Sequence, residues 1–219
     1  MAYLSRFAKY SIGKKYIMGI SGLGLCVFAL VHLSGNFLLL KGQAQFNAYA
    51  DILHNKIPGF VAVELGLAAC FILHMWMGIS LAFQNRKARP QAYAVKKSNT
   101  STLGSLTMAY TGTYFILFLI IHLLNIKFAI LPKPVVDPSL DKFTVTAMVL
   151  AEPMWSLFYV VSSVILGIHL SHGFYSAFQS LGLANEKTTK TLLLSARIYG
   201  VVIAVGYSFI AVSMLMLKR

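Results

Sequence analysis

The sequence predicts an all-α membrane protein: one domain, folded as a bundle of five transmembrane helices. Three observations lead there: too few charges for a water-facing surface, five long apolar runs, and an uneven division of basic residues between the intervening segments. Of the 219 residues, 58% are hydrophobic and 11% are charged, and the mean hydropathy is +0.71. A soluble domain of this length carries about 25% charged residues, so lipid must be the solvent here.

The apolar runs cover 16–40, 58–84, 103–126, 153–181 and 192–217. Each approaches or exceeds the ~20 helical residues needed to cross a hydrocarbon core of about 30 Å. They are continuous rather than alternating, which argues against the strands of a closed barrel. The first run follows a basic segment, as a signal sequence would. It is longer than the apolar core of about 7–15 residues typical of such signals, and no small-x-small cleavage site ends it, so it is expected to be a retained span. Cys26 and Cys70 lie inside spans without CxxC spacing and read as packing residues.

Charge sets the expected orientation. Arg6, Lys9, Lys14 and Lys15 precede the first span; Arg86, Lys87, Arg89, Lys96 and Lys97 follow the second; Lys187, Lys190 and Arg197 outnumber Glu186 after the fourth. The alternate segments are nearly neutral. Lys41 and Lys56 face Asp51 in one, and Lys127, Lys133 and Lys142 balance Asp137, Asp141 and Glu152 in the other. The positive-inside rule then places the N-terminus in the cytoplasm. The net charge of +13 is thereby assigned to topology and anionic lipid. No basic surface interleaved with aromatics supports a nucleic-acid partner.

Five of the six histidines fall within spans: His32, His74, His122, His169 and His172. An ionisable side chain at membrane depth is costly, which makes each a functional candidate. One alone would read as a neutral ring hydrogen-bonded between helices, but four successive spans each carry one. In alternating spans, His32 and His122 fall in the outer half of the membrane and His74 and His169 in the inner half, each roughly 5–9 Å from its middle at 1.5 Å per residue. Two pairs stacked across the membrane suit bis-histidine ligation of two haem irons. Zinc or copper would need three or four ligands converging on one ion, and no HxxxH or ExxH cluster supplies them. Gly78 and Gly173 each lie four residues after a histidine and clear bulk from nearly the same helix face. His172 stands about 60° from His169 around the helix and is the alternative ligand there; otherwise it is expected to bond a propionate or a neighbouring helix.

Several stretches together carry a resemblance: "SIGKKYIMGISGL", "HLSGNFLLLKGQAQFNAYADIL", "HMWMGISLAF", "YTGTYFILFLIIHLL" and "GIHLSHGFYSAFQSLG". Over nearly its whole length the chain resembles the single-polypeptide di-haem cytochrome b subunit of succinate:quinone and quinol:fumarate oxidoreductases. The resemblance implies two haems b with His32, His74, His122 and His169 as axial ligands. It implies a flavoprotein and an iron–sulfur subunit docked on the cytoplasmic side of a bacterial inner membrane, and a quinone, menaquinone rather than ubiquinone. Some quinol:fumarate members carry a proton-conducting glutamate two residues before the fourth histidine. Here that residue is Gly167, so that proton route is not expected.

Closed, six-coordinate irons would pass electrons rather than bind oxygen or substrate. The chain has no GxGxxG, no P-loop and no arginine cluster for a dicarboxylate, so succinate or fumarate chemistry is expected on a partner. Quinone chemistry needs a proton-transferring group near the membrane edge. Asp51, His54 and Glu64 gather by sequence at the outer ends of the first two spans, and Glu64, inside the second, is the foremost candidate. A paired or snorkelling carboxylate is the competing reading for Glu64, and a solvated loop for the other two. Phe46, Tyr49, Ala50 and Leu53 follow helical spacing, which predicts a short helix on the outer surface. Two other readings stay open: a haem b subunit of another respiratory dehydrogenase or hydrogenase, and a transporter or proton channel with a histidine relay.

Overall fold

The computed structural model describes residues 10–87, 103–131 and 139–217. Arg6, Lys9, Arg89, Lys96, Lys97, Lys133 and Asp137, used above for orientation, lie outside the described residues. Among those described there is helix and no strand. Helix α1 spans Ser11–Asn36 and tightens into a 3-10 stretch, Phe37–Lys41. The chain reverses at Gly42, whose φ of +101° falls in the region that favours glycine. Helix α2, Gln43–Asp51, runs into a π turn, Ile52–Lys56. Then follow α3 (Phe60–Lys87), α4 (Leu103–His122) with a π turn at Leu123–Lys127, α5 (Lys142–Ala151), α6 (Pro153–Ser180) and α7 (Glu186–Met216). Five helices are long and apolar enough to cross a membrane: α1, α3, α4, α6 and α7.

The first and last long helices start before their hydropathy limits. The fifth run reads as starting at 192, yet α7 begins at Glu186, where Asn185 and Thr188 form a capping box. Helix α1 likewise begins at Ser11, five residues before the apolar run. Hydropathy marks the part of a helix that needs lipid, and its polar first turns extend beyond. The short surface helix expected around Phe46 is α2. Helix α5 departs from expectation, since 127–152 reads from sequence as an outer loop. Asp141 caps it by accepting from the Thr144 amide, 3.1 Å away, and it buries Val145, Thr146, Val149 and Leu150.

Helices α1, α3, α4 and α6 pack in neighbouring pairs, and α7 lies along α6 and against α1. The α6–α7 contact is the most extensive among the described residues and depends on two glycines. A Cβ on Gly167 would lie 2.6 Å from the Gly200 carbonyl oxygen, and a Cβ on Gly200 would lie 2.5 Å from that of Gly167. No other residue permits this crossing, the small-residue packing by which membrane helices associate. Tyr199 and Tyr207 fasten α7 to α1 by donating to the carbonyl oxygens of Cys26 (2.6 Å) and Ala29 (2.9 Å). Around these bonds Cys26, Leu33, Leu170, Ile203 and Ile210 form the core. Elsewhere the bundle turns its apolar side chains outward: Trp76 and Phe83 are both 70% exposed, which is tolerable only in lipid.

Candidate functional site

The site is assembled from four helices at two levels. At the level farther from the N-terminus of α1, His32 of α1 and His122 of α4 face each other. Their ring centroids are 6.0 Å apart and their planes cross at 87°. Each ring is stacked on a phenylalanine one turn earlier in its own helix, His32 on Phe28 (5.2 Å) and His122 on Phe118 (5.6 Å). Tyr207 stands 6.1 Å from the His32 ring, and the Tyr159 hydroxyl is 3.3 Å from His122 Nδ1. At the nearer level, His74 of α3 and His169 of α6 lie within electrostatic range of each other, with His172 also near His169.

The nearer level is set by hydroxyls on the preceding helices. Ser21 Oγ lies 3.1 Å from His74 Nδ1 and donates its own proton back to the Ile17 carbonyl at 2.7 Å. Thr111 Oγ1 lies 2.9 Å from His169 Nδ1 and back-bonds to the Thr107 carbonyl at 3.0 Å. The next residue in each helix is a glycine against the same ring. A Cβ on Gly22 would lie 3.0 Å from His74 Cε1, and one on Gly112 would lie 3.7 Å from His169 Cε1. Methionines complete the set, Met18 beside Gly78 and Met108 beside Gly173.

These contacts expose a repeat that composition and hydropathy did not reveal. Met18, Ser21, Gly22, Phe28 and His32 recur at identical spacing as Met108, Thr111, Gly112, Phe118 and His122. His74, Gly78, Ala82 and Phe83 recur as His169, Gly173, Ala177 and Phe178. The hairpins α1–α3 and α4–α6 therefore carry the same pattern, and each level takes one histidine from each hairpin. Ser21 to His32 and Thr111 to His122 are both 11 residues, about 16 Å along a helix.

Does this arrangement fit a haem between each pair? Two imidazoles opposed across one metal, each with a metal–nitrogen bond of about 2 Å, have ring centres about 6 Å apart. His32 and His122 already stand at that separation. Crossed ring planes are compatible with it, since each ring turns about its own metal–nitrogen axis. The nearer pair has Nδ1 engaged on both rings, and ligating histidines characteristically bond their other nitrogen to a fixed partner. The donor set fits. No cluster of three or more metal-ligating side chains occurs among the described residues.

Toward the first turns of α1, between α1, α3 and α6, a cavity of about 510 Å³ opens, lined by Lys15, Tyr16, Met18, Asn85, Gln179 and Ser180 among others. At the opposite end the three quinone candidates divide. Glu64 Oε1 lies 2.5 Å from Lys127 Nζ and 3.9 Å from His54 Nε2. Asp51 instead pairs with Lys56 at 3.8 Å and accepts from Asn55. Glu64 is thus not an isolated carboxylate in lipid. Lys127, reached through the π turn after α4, compensates it across 63 positions of sequence. Gly167 faces the α7 backbone with no room for a side chain.

No family model, curated protein or solved structure matches the chain.

Proposed function

We propose that this chain is the membrane-anchor cytochrome b subunit of a succinate:quinone or quinol:fumarate oxidoreductase. In this reading His32 and His122 ligate one haem b, and His74 and His169 the other. The observation that carries it is a histidine pair at each of two levels, with one helix from each hairpin and the levels spaced about 16 Å apart by the same 11-residue interval. A histidine relay for transport needs no such paired levels. Another respiratory haem b subunit would share the histidines and is separated by its partners.

Bound between each pair, haem supplies one-electron transfer. The chain's own residues do the rest. The four histidines would hold the two irons, which would leave them to pass electrons rather than to bind oxygen or substrate. Phe28 and Phe118 hold the outer rings upright and keep water from them. Lys15, Tyr16, Asn85 and Gln179 offer the polar groups that would receive propionates at the basic end. At the other end Glu64, with Lys127 and His54 beside it, is the group to exchange a proton with a quinone at the membrane edge; menaquinone is the expected type. The basic end, by charge the cytoplasmic face, is where an iron–sulfur subunit with its flavoprotein would dock, in a bacterial inner membrane.

A reduced-minus-oxidised optical spectrum of the purified chain tests the reading. An alpha band of haem b at two haems per chain supports it, and a haem-free preparation from native membranes overturns it. Isolation in mild detergent should bring two soluble subunits with the chain. A haem-loaded protein that copurifies with neither would point to a different respiratory complex.

A further inference from the structure

We propose that Ser21 and Thr111 are positioning residues for the inner histidine pair. Their hydroxyls hold His74 and His169 in the Nδ1-protonated form and leave each Nε2 with the lone pair that ligation requires. The proposal deepens the haem reading and rests on it.

Proton counting carries the inference. A serine or threonine hydroxyl has one proton to donate and two lone pairs to accept with. Ser21 directs its proton to the Ile17 carbonyl, with the Met18 carbonyl at 3.2 Å as a second acceptor. Thr111 does the same with Thr107 and Met108, the latter again at 3.2 Å. With the proton committed to the backbone, the contact to each imidazole Nδ1 forms only if the ring donates and the hydroxyl accepts. A ring protonated at Nδ1 is basic at Nε2. The back-bond alone marks nothing, because Ser34 and Thr113 make it too on exposed faces. What marks Ser21 and Thr111 is the second bond to a histidine on the next membrane-spanning helix, made twice. Both recur with a following glycine against the ring, closely at Gly22 and in ordinary contact at Gly112. A methyl in place of the Thr111 hydroxyl would remove the only acceptor described at His169 Nδ1, and one in place of the Ser21 hydroxyl would leave His74 with its backbone bond to Met18 alone.

The electronic consequence has a sign. Donation from Nδ1–H puts electron density onto the ring, and a more basic ligand favours oxidised iron. Removing the acceptor therefore raises the potential of the inner component, defined as the one lost in His74→Ala and His169→Ala. It also weakens retention of that haem by about tenfold, the lower end of the range for such partners.

The test is an optical redox titration and haem quantitation of the full chain, purified in mild detergent. Ser21→Ala and Thr111→Ala should each move the inner component upward or lose it, with the outer component unchanged. Ser21→Thr and Thr111→Ser each install the hydroxyl that the other repeat already uses, and should retain wild-type behaviour. Thr113→Ala, a back-bonding hydroxyl two residues from Thr111, should change nothing. Wild-type potentials and haem content in both alanine variants would overturn the proposal while leaving the haem reading intact. So would equal damage from alanine and from the hydroxyl-preserving swaps, since side-chain packing alone would then explain it. A haem-free wild-type chain would instead remove the reading on which the proposal stands.

Discussion

At the inner level each histidine ring meets a hydroxyl and a glycine from the preceding membrane-spanning helix. At the outer level each lies on a phenylalanine of its own helix. Both levels inherit their spacing from one repeated hairpin, so the difference lies in what fixes the ring. A hydrogen bond fixes protonation and rotation together and ties the ring to a second helix. A stacked phenylalanine fixes rotation only, worth about 0.5–1.5 kcal/mol beyond burial, and leaves the ring's electronics alone. The inner level is accordingly specified by a hydroxyl from another helix on both rings, the outer level by apolar packing within each helix and one longer polar contact between helices, Tyr159 to His122 at 3.3 Å.

On the proposed haem reading, removing one of the four histidines is the largest perturbation of this arrangement. His32→Ala and His122→Ala should abolish or perturb one and the same redox component, and His74→Ala and His169→Ala the other. His172→Ala should keep both. The inner component should have the higher potential, because it lies nearer the basic end, whose positive potential favours reduction. Loss of one component by both His74→Ala and His122→Ala would break the two-level scheme. A damaging His172→Ala would move the α6 ligand from His169 without disturbing the rest.

The α6–α7 crossing carries His169 and comes next in size. Gly167→Ala and Gly200→Ala each place a methyl within 2.6 Å of backbone oxygen, an overpacking of about 1–3 kcal/mol or more. Both should lower thermal stability in detergent and loosen inner haem retention before outer. Gly66→Ala, with open space around it, is the matching control and should be silent. Equal loss of both haems in the Gly167 variant would mean that α7 supports the bundle as a whole rather than the inner level.

Glu64→Gln should retain both haems and slow quinone-linked turnover by about tenfold or more, the lower part of the range for general acid–base catalysis. Turnover at the wild-type rate would leave Glu64 as the ion-pair partner of Lys127 and nothing further.

The fold was legible because hydropathy reports the solvent directly, and five runs gave five membrane-length helices. The histidine levels were legible because depth in an alternating bundle follows from counting residues. The hydroxyls were not. Serine and threonine are common in membrane helices, where back-bonding to a carbonyl satisfies them, so Ser21 and Thr111 carry no signal singly. Only the parallel spacing of Met18, Ser21, Gly22, Phe28 and His32 with its second copy could have found them. The Glu64–Lys127 pair was out of reach for another reason: it joins positions whose proximity depends on how α3 and α4 meet. Helix α5 has only 10 residues, too short to cross the membrane, and its signal was an aspartate cap in a stretch otherwise read as loop.

The smallest expected effect lies at the outer end, where Asp141 joins α5 to α2. Its carboxylate accepts from the Thr144 hydroxyl (2.6 Å) and amide, from Asn47 Nδ2 (2.6 Å) and from Gln43 Nε2 (3.1 Å). The Thr144 hydroxyl first, then Asn47, holds this carboxyl well below its ordinary value of 3.8. For a depressed carboxylate the contribution to stability is fully present above that ordinary value and is lost as pH falls through the lower folded one. Acidification from pH 7 to about 4 should therefore leave the α2–α5 contact intact. Asp141→Ala should cost about 1 kcal/mol, the usual worth of a cap, because water and salt screen the rest at so exposed a group. Hydrogen exchange should quicken at the first-turn amides of α5 and in α2, with both redox components unchanged. Asp141→Asn keeps one acceptor oxygen, so it should fall between the two and lose the acid dependence. If Asp141→Ala shifted the outer component while sparing the inner, α5 would prove to be part of what holds His122. The outer level would then rest on contacts between helices beyond Tyr159–His122, and its contrast with the inner one would narrow.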